Sequence, residues 1–246
     1  MRLLRAEELE KKFDGFTAIK RIDFSLDSGQ VKGVMGPNGA GKSTLLQLLS
    51  GYLLPTSGEI FFQGEKVTHA STSRKSRMGI SYLPQRPSLF PSLTVEDNLR
   101  GSAQWNSKFS PDTTDARVEE LLELSELEGR PGTPAGELSY GEMKVLDLAI
   151  SLASQPKVLL ADEPTAGVDE DARGKIIDLL KFLTKGTYSG QFELNGLIFV
   201  EHSKGALFEV ADVLCFINQG EITTTDPPEL IRNEQEVREY LKERDQ

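Results

Sequence analysis

The chain has 246 residues, 38% of them hydrophobic, and a formal net charge of −10. Its length suffices for one large domain or two small ones, and its acidic balance without a basic cluster argues against a nucleic-acid partner. The longest apolar runs are far shorter than the roughly 20 residues that cross a bilayer, the charged beginning has no secretory-signal pattern, and the single cysteine, Cys215, excludes an internal disulfide. We therefore expect a cytoplasmic chain with Cys215 in its core.

Short β-branched runs alternate with helical periodicity along the chain. Continuous apolar runs suit strands that are buried on both faces of a sheet, and their alternation with helices predicts an α/β fold with a mainly parallel sheet. We also expect an antiparallel β portion near the N-terminus. The predicted strands are residues 30–36, 80–84, 157–162, 196–202 and 212–217, and the predicted helices are residues 43–52, 116–129, 141–154 and 170–183.

The middle of the chain differs from the rest because it is mostly helical and loop-like. It contains a weakly patterned stretch at residues 101–115. We expect one domain over residues 1–246, with a core at about 1–85 and 155–246 and an inserted helical subdomain at about 86–154. A later segment, residues 184–196, is longer than an ordinary helix-to-strand connection, and we interpret it as a small surface hairpin.

The stretch GPNGAGKST follows a predicted strand and enters a predicted helix. It fits the GxxxxGK[ST] pattern, whose glycines let backbone N–H groups converge on a phosphate at a helix N-terminus. Lys42 would neutralise the β- and γ-phosphates and Ser43 would ligate Mg²⁺; an ordinary glycine-rich turn with a surface lysine is the alternative. The residues that we assign to this loop are Gly36, Pro37, Asn38, Gly39, Ala40, Gly41, Lys42, Ser43 and Thr44.

Two adjacent carboxylates follow the apolar strand KVLLA. Asp162 and Glu163 would lie at the carboxyl edge of the sheet, where ligands of open α/β sheets bind. Asp162 would hold the metal, directly or through water, and Glu163 would act as the general base for the attacking water. A strand that runs out into a polar turn is the other interpretation.

The order of six motifs resembles the nucleotide-binding subunit of ABC transporters, from Leu9 to about Leu241. The motifs are GPNGAGKST, the glutamine of YLPQ, LSYGE, LLADEP, AGVD and a histidine after the strand GLIFVE. The resemblance implies a P-loop NTPase fold that binds ATP and Mg²⁺. It also implies a dimer that holds two ATP molecules between facing surfaces, together with integral membrane permease subunits at the cytoplasmic face of the membrane. An importer would add an extracytoplasmic solute-binding protein.

The resemblance also implies a role for residues outside the phosphate loop. Phe13 would stack on adenine, with Phe16 as a competing candidate and a core position as the alternative for both. Gln85 would contact Mg²⁺ or the lytic water, and His202 would hydrogen-bond the γ-phosphate. Ser139 and Gly141 in the signature LSYGE would contact ATP held by the opposite subunit, where Asp169 would cross the interface. For Ser139, a helix N-cap is compatible with that role.

The signature departs from the commonest form, LSGGQ, at Tyr140 and Glu142. A tyrosine there, the ending NEQEVREYLKERDQ and the stretch PSLFPSLTVEDNL are similar to the ATPases of branched-chain amino acid and urea importers. A similar ending and AGVD occur in lipopolysaccharide-export ATPases, which are the alternative. A soluble ABC ATPase that acts on DNA or ribosomes is a further alternative, and a P-loop kinase would leave LSYGE and His202 unexplained.

Overall fold

The structure, a computed structural model, describes residues 1–104, 110–184 and 194–231, together with residues 235, 237 and 239. Most of the long segment at residues 184–196 and most of the ending NEQEVREYLKERDQ lie outside the described residues. Within the described part, no helix combines the length and the apolar character that a membrane crossing demands.

In the part of the chain that the structure describes, ten strands form two sheets. They are β1 (Arg2–Phe13), β2 (Phe16–Asp27), β3 (Gln30–Met35), β4 (Ser57–Phe62), β5 (Glu65–Lys66), β6 (Ile80–Leu83), β7 (Val158–Asp162), β8 (Gly196–Val200), β9 (Val213–Asn218) and β10 (Glu221–Asp226).

Eight α-helices connect and cover these strands in the described residues. They are α1 (Lys42–Ser50), α2 (Thr72–Met78), α3 (Val95–Gln104), α4 (Pro111–Leu124), α5 (Tyr140–Ala153), α6 (Glu170–Thr184), α7 (Lys204–Val210) and α8 (Pro228–Ile231).

The larger sheet has the strand order β10-β9-β3-β8-β7-β6. Its neighbours pair in parallel except for β10, which pairs antiparallel with β9. The smaller sheet has the order β2-β1-β4-β5 and is antiparallel throughout. The mainly parallel sheet and the N-terminal antiparallel portion that the sequence predicted are therefore both present.

The parallel sheet is buried on both faces. Alternate side chains point to opposite sides of each strand, so a single strand contributes to two hydrophobic clusters. In β7, Leu159 and Ala161 pack with the helical layer of α3, α4 and α5. Val158 and Leu160 face the other way, against α1 and the antiparallel sheet. Cys215 is fully buried in this second cluster, as predicted, and burial raises the pKa of its thiol to about 11.

The helix α4 differs at both ends from the predicted helix at residues 116–129. It begins at Pro111, because Ser110 caps it by accepting a hydrogen bond from the Thr113 N–H at 3.3 Å and proline suits the first helical turn. It ends at Leu124, and Glu126 adopts a left-handed backbone with φ 56°. The weakly patterned stretch at residues 101–115 thus contains the end of α3 and the start of α4.

Candidate nucleotide-binding site

The glycine loop between β3 and α1 has room only for backbone at its beginning. Gly36 has φ 149°, and a Cβ atom there would lie 1.9 Å from the carbonyl oxygen of Ile217. The helix α1 starts after Gly41 without a side-chain cap and without an acidic residue in its first turn. Its first N–H groups and its positive dipole end therefore remain available to an anion.

Lys42 and Ser43, the first two residues of α1, link the loop to β7. The buried Lys42 Nζ donates hydrogen bonds to the carbonyls of Gly36 and Pro37, both at 2.9 Å. Ser43 Oγ donates to Asp162 Oδ1 at 2.9 Å, and the Tyr82 hydroxyl donates to Asp162 Oδ2 at 3.3 Å. Burial raises the pKa of Asp162, while the bond from Ser43 opposes the rise.

Glu163 lies at the centre of the polar residues beyond β7. Its backbone is left-handed, with φ 49°, an uncommon conformation for a residue with a side chain and one that is enriched at functional sites. Its Oε2 accepts a hydrogen bond from Gln85 Nε2 at 2.6 Å, and its Oε1 lies 2.6 Å from His202 Nε2. The other ring nitrogen, Nδ1, is buried and has no hydrogen-bond partner among the described residues.

Two buried charged residues that were not predicted support this arrangement. Lys144 Nζ on α5 donates to the backbone carbonyls of Gln85 at 2.6 Å and Glu163 at 3.2 Å. Glu201 accepts from the N–H and the hydroxyl of Thr165, both at 2.7 Å, and from the His202 N–H at 3.1 Å. Lys144 therefore holds two loops together. Glu201 links the loop after Glu163 to the end of β8, directly before His202.

The phosphate loop, Gln85, Glu163 and His202 meet in one cleft of about 630 Å³. A larger depression, about 780 Å³, lies on the antiparallel sheet and contains none of the predicted site residues. The cleft is lined by Phe16, Ala18, Asn38, Gly39, Gly41, Lys42, Ser43, Thr44, Gln85, Glu163 and His202. Phe16 therefore lies at the cleft, whereas Phe13 is not among its lining residues.

The signature residues lie outside this cleft. Ser139 caps α5 in a reciprocal capping box with Glu142. Gly141 packs so closely on α6 that a Cβ atom would lie 2.6 Å from the Cβ of Ala172. The exposed Asp169 caps α6 by accepting a hydrogen bond from the Ala172 N–H at 2.9 Å, and it lines a separate small cleft with Gly141.

This geometry fits the chemistry of a triphosphate ester. A positive helix end, a lysine and convergent backbone favour a polyphosphate, and a hydroxyl beside a buried carboxylate is a hard-oxygen pair of the kind that Mg²⁺ prefers. Glu163 and Gln85 lie at the same cleft, where a carboxylate can accept a proton from water.

Comparisons with known proteins agree with this geometry. Residues 19–166 match the family described as ABC transporter. The chain is 31% identical to the lipopolysaccharide export system ATP-binding protein LptB of Escherichia coli (strain K12), across 99% of this chain and 98% of that protein. It is 33% identical to the sulfate/thiosulfate import ATP-binding protein CysA of Synechococcus elongatus, across 92% of this chain and 62% of that protein. The ADP conformation of MJ1267, an ATP-binding cassette of an ABC transporter, superposes with a TM-score of 0.83 at 26% identity, covering 98% of this chain and 99% of that one.

Proposed function

The chain belongs to the ABC transporter family as an ATP-hydrolysing subunit, and from this premise we propose that it powers the import of branched-chain amino acids, urea or related small polar solutes. The observation that carries the ATPase assignment is the cleft that joins the glycine loop to Gln85, Glu163 and His202. The solute class is supported by Tyr140 in the signature. Lipopolysaccharide export is the second candidate, favoured by the full-length similarity to LptB.

In the proposed ATP complex, the loop from Gly36 to Thr44 surrounds the phosphates with backbone N–H groups. Lys42 exchanges its two carbonyl acceptors for phosphate oxygens, because charged oxygens are stronger acceptors. Ser43, Asp162 and Gln85 would hold Mg²⁺, a role supported by the 2.9 Å contact between Ser43 Oγ and Asp162 Oδ1. When bound, Mg²⁺ supplies positive charge that offsets the charge on the phosphates.

The proposed proton acceptor is Glu163. Gln85 and His202 contact different oxygens of its carboxylate, so both orient it, and a water molecule that enters the cleft competes with them for these oxygens. The left-handed backbone of Glu163 sets the direction in which its side chain leaves the main chain. A hydrogen bond from its N–H to the Val200 carbonyl, 3.0 Å, fixes the position of that backbone. In the proposed complex, His202 hydrogen-bonds the γ-phosphate.

The proposed active unit is a dimer. Ser139, Gly141 and Asp169 lie away from the chain's own phosphate cleft, which supports their assignment to the ATP of the facing subunit. Subunits of this family pair with membrane permease components, and we place the chain at the cytoplasmic face of the membrane. Phe90 and Leu93 are exposed on the segment between β6 and α3 and form the proposed contact with a permease. An importer would also use an extracytoplasmic solute-binding protein.

The ATPase assignment is tested by two variants with different expected defects. Lys42→Ala should weaken ATP binding, because the phosphates lose a buried cation. Glu163→Gln should retain ATP affinity while turnover falls by roughly 10² to 10⁴. Calorimetry and a steady-state phosphate assay measure these quantities, and wild-type turnover in both variants would contradict the assigned roles.

The solute class requires the complete transporter. Purification from native membranes identifies the permease and any solute-binding protein, and reconstitution in liposomes then allows ATPase stimulation to be measured with each solute class. Stimulation by an amino acid or urea supports the import proposal. Release of lipopolysaccharide from the membrane, without stimulation by small solutes, supports the export candidate.

A further inference from the structure

A small polar cavity lies between the helical layer and the parallel sheet, away from the nucleotide cleft. Its volume is about 170 Å³, and one end of it lies at the segment that follows Gln85. Hydroxyl side chains from α2, β6, α3 and α5 dominate its lining. The lining includes Ser81, Ser88, Ser102, Asp147 and Ser151.

Four of the six serines that line the cavity donate their hydroxyl protons to acceptors within the chain. Ser81 donates to the Ser151 carbonyl at 2.8 Å, and Ser102 donates to the Ile150 carbonyl at 2.9 Å. Ser151 itself donates to the Leu148 carbonyl at 2.6 Å. Because each hydroxyl has already donated its one proton, it can only accept a further hydrogen bond through its lone pairs.

Asp147 adds a carboxylate to this lining. Its Oδ1 accepts the Ser88 N–H at 3.2 Å and the Ser88 hydroxyl at 3.1 Å. Its Oδ2 is buried and has no hydrogen-bond partner among the described residues, and the side chain is only 1% exposed. Within the same part of the chain, no basic group forms a salt bridge with it: the Lys144 ammonium attracts it through space but donates its hydrogen bonds to the Gln85 and Glu163 carbonyls. A buried carboxylate with an unused oxygen favours a positively charged donor.

We propose that this cavity receives one basic side chain, an arginine or a lysine, from the docking segment of the membrane partner. Guanidinium and ammonium groups carry donors and no acceptor, which complements the four acceptor hydroxyls and the carboxylate of Asp147. The proposal rests on the proposed function because it needs a permease partner. It goes beyond that function by naming the chemistry of the contact.

The position of the cavity gives this contact a consequence for the catalytic cleft. Ser88 bonds to Asp147 and lies three residues after Gln85, which contacts Glu163. A basic group that binds Asp147 therefore lies next to the segment that carries Gln85. Phe90 and Leu93, exposed on the same segment, would form the apolar part of the same docking surface.

The first test uses the isolated protein and small probes. Propylguanidinium is titrated into ¹⁵N-labelled protein, with its neutral analogue propylurea and with K⁺ as comparisons. We expect millimolar binding of propylguanidinium, with amide shifts confined to residues around Ser88, Ser102 and Asp147, and much weaker effects of propylurea. Absence of shifts, equal binding of propylurea, or preferential saturation by K⁺ would each overturn the proposal, the last by identifying a free-cation site.

Two variants and one matched control complete the test. Asp147→Asn keeps the shape and the acceptor for Ser88, and it should weaken propylguanidinium binding by about tenfold or more, because a charge-assisted bond is lost. Ser102→Val should block the cavity, whereas Ser57→Val, at an exposed serine of β4 that lies outside both the cavity and the segment between β6 and α3, should change nothing.

The same variants are then co-purified with the membrane subunits. Loss of the subunits from Asp147→Asn and Ser102→Val, with unchanged ATPase activity of the isolated variants, supports the proposal. Retention of the subunits contradicts it while leaving the proposed function intact. Failure of the wild type to hydrolyse ATP or to retain any permease would instead contradict the proposed function.

Discussion

Asp147 makes the folded chain less stable at neutral pH. Burial raises the pKa of this carboxyl from 3.8 to about 6, so the folded state binds its proton more tightly than the unfolded chain does. The free energy of unfolding consequently falls as pH rises through this interval, and the loss is complete above the folded pKa. A rise of this size corresponds to roughly 3 kcal/mol at most.

Replacement of this charge should therefore stabilise the protein. We expect the stability of Asp147→Asn to exceed that of the wild type by about 1 to 3 kcal/mol at pH 7.5. The two should match below the unfolded pKa, because the carboxyl is then neutral in both the folded and the unfolded chain. Urea unfolding at several pH values measures the difference. A stability difference that does not change with pH would contradict the assignment of the penalty to this carboxylate.

Phe16 and Phe13 are the two candidates for adenine stacking, and the geometry favours Phe16. Phe16 lines the cleft and is 57% exposed, whereas Phe13 lies 5.0 Å from the Lys11 ammonium. Phe16→Ala should weaken ATP binding by about 1 to 3 kcal/mol, the usual contribution of base stacking on an aromatic ring, and Phe13→Ala should have little effect. Inorganic triphosphate, which has no base, is the control ligand, and the reverse ranking of the two variants would favour Phe13.

The helix α5 connects Ser139 at its N-terminus to the segments that carry Gln85 and the proposed base Glu163, through Lys144. Lys144→Met keeps the length of the side chain but removes both bonds to the Gln85 and Glu163 carbonyls. We expect kcat to fall by about tenfold or more while the affinity for ATP stays unchanged, because the phosphate loop is not touched.

A double-mutant cycle with Gln85→Ala distinguishes this role from a loss of stability. If Lys144 acts by positioning Gln85, its replacement should matter less once that glutamine is absent. Additive effects of the two substitutions on kcat would contradict positioning through Gln85 and would leave the bond to the Glu163 carbonyl or a general effect on the fold as the cause.

The residues that the sequence analysis singled out lie in short contiguous motifs. The residues that it missed depend on partners that are distant along the chain. The glycine loop and the Asp162–Glu163 pair occupy contiguous stretches after apolar strands, so their neighbours revealed them. Lys144 lies 59 residues from Gln85 and looks like an ordinary polar residue of a helix in the sequence, since only the folded chain brings it to the backbone carbonyls of Gln85 and Glu163. Glu201 is hidden in the same way by its 36-residue separation from Thr165.

The error at the start of α4 has a different origin, because the signal was present. Ser110 and Pro111 form a local cap, which an apolar pattern beginning at Ala116 does not reveal. The exposed first turn carries few apolar side chains. Boundaries that are set by caps are therefore recoverable from sequence, whereas buried ion networks are not.

At the scale of the whole molecule, the separation of the signature from the cleft predicts complementation between subunits. Glu163→Gln and Ser139→Ala should each inactivate a homodimer, whereas a mixed dimer has both defects in one site and an intact second site. Random pairing of equal amounts makes about half of the dimers mixed, so about a quarter of all sites should regain activity. Steady-state ATPase activity before and after subunit exchange measures the recovery.

A lack of recovery after confirmed exchange has two explanations. Either Ser139 acts within its own chain, or both sites must work together. A covalently linked dimer with one Ser139→Ala lesion separates them, because strict coupling of the sites predicts that a single lesion silences the pair.

The close approach of Gly36 to Ile217 means that the motifs do not define the smallest working fragment. The Gly220 N–H donates to the Ala40 carbonyl at 3.0 Å, and the Gly220 carbonyl accepts the Lys20 N–H at 2.8 Å, so the turn between β9 and β10 supports the phosphate loop from outside. A fragment cut before Val213 would keep all of the nucleotide-site residues assigned above and still lose this support. A protein split at this point should therefore recover a nucleotide site only when the piece that carries β9 and β10 reassociates, and ATPase activity would then depend on that reassociation.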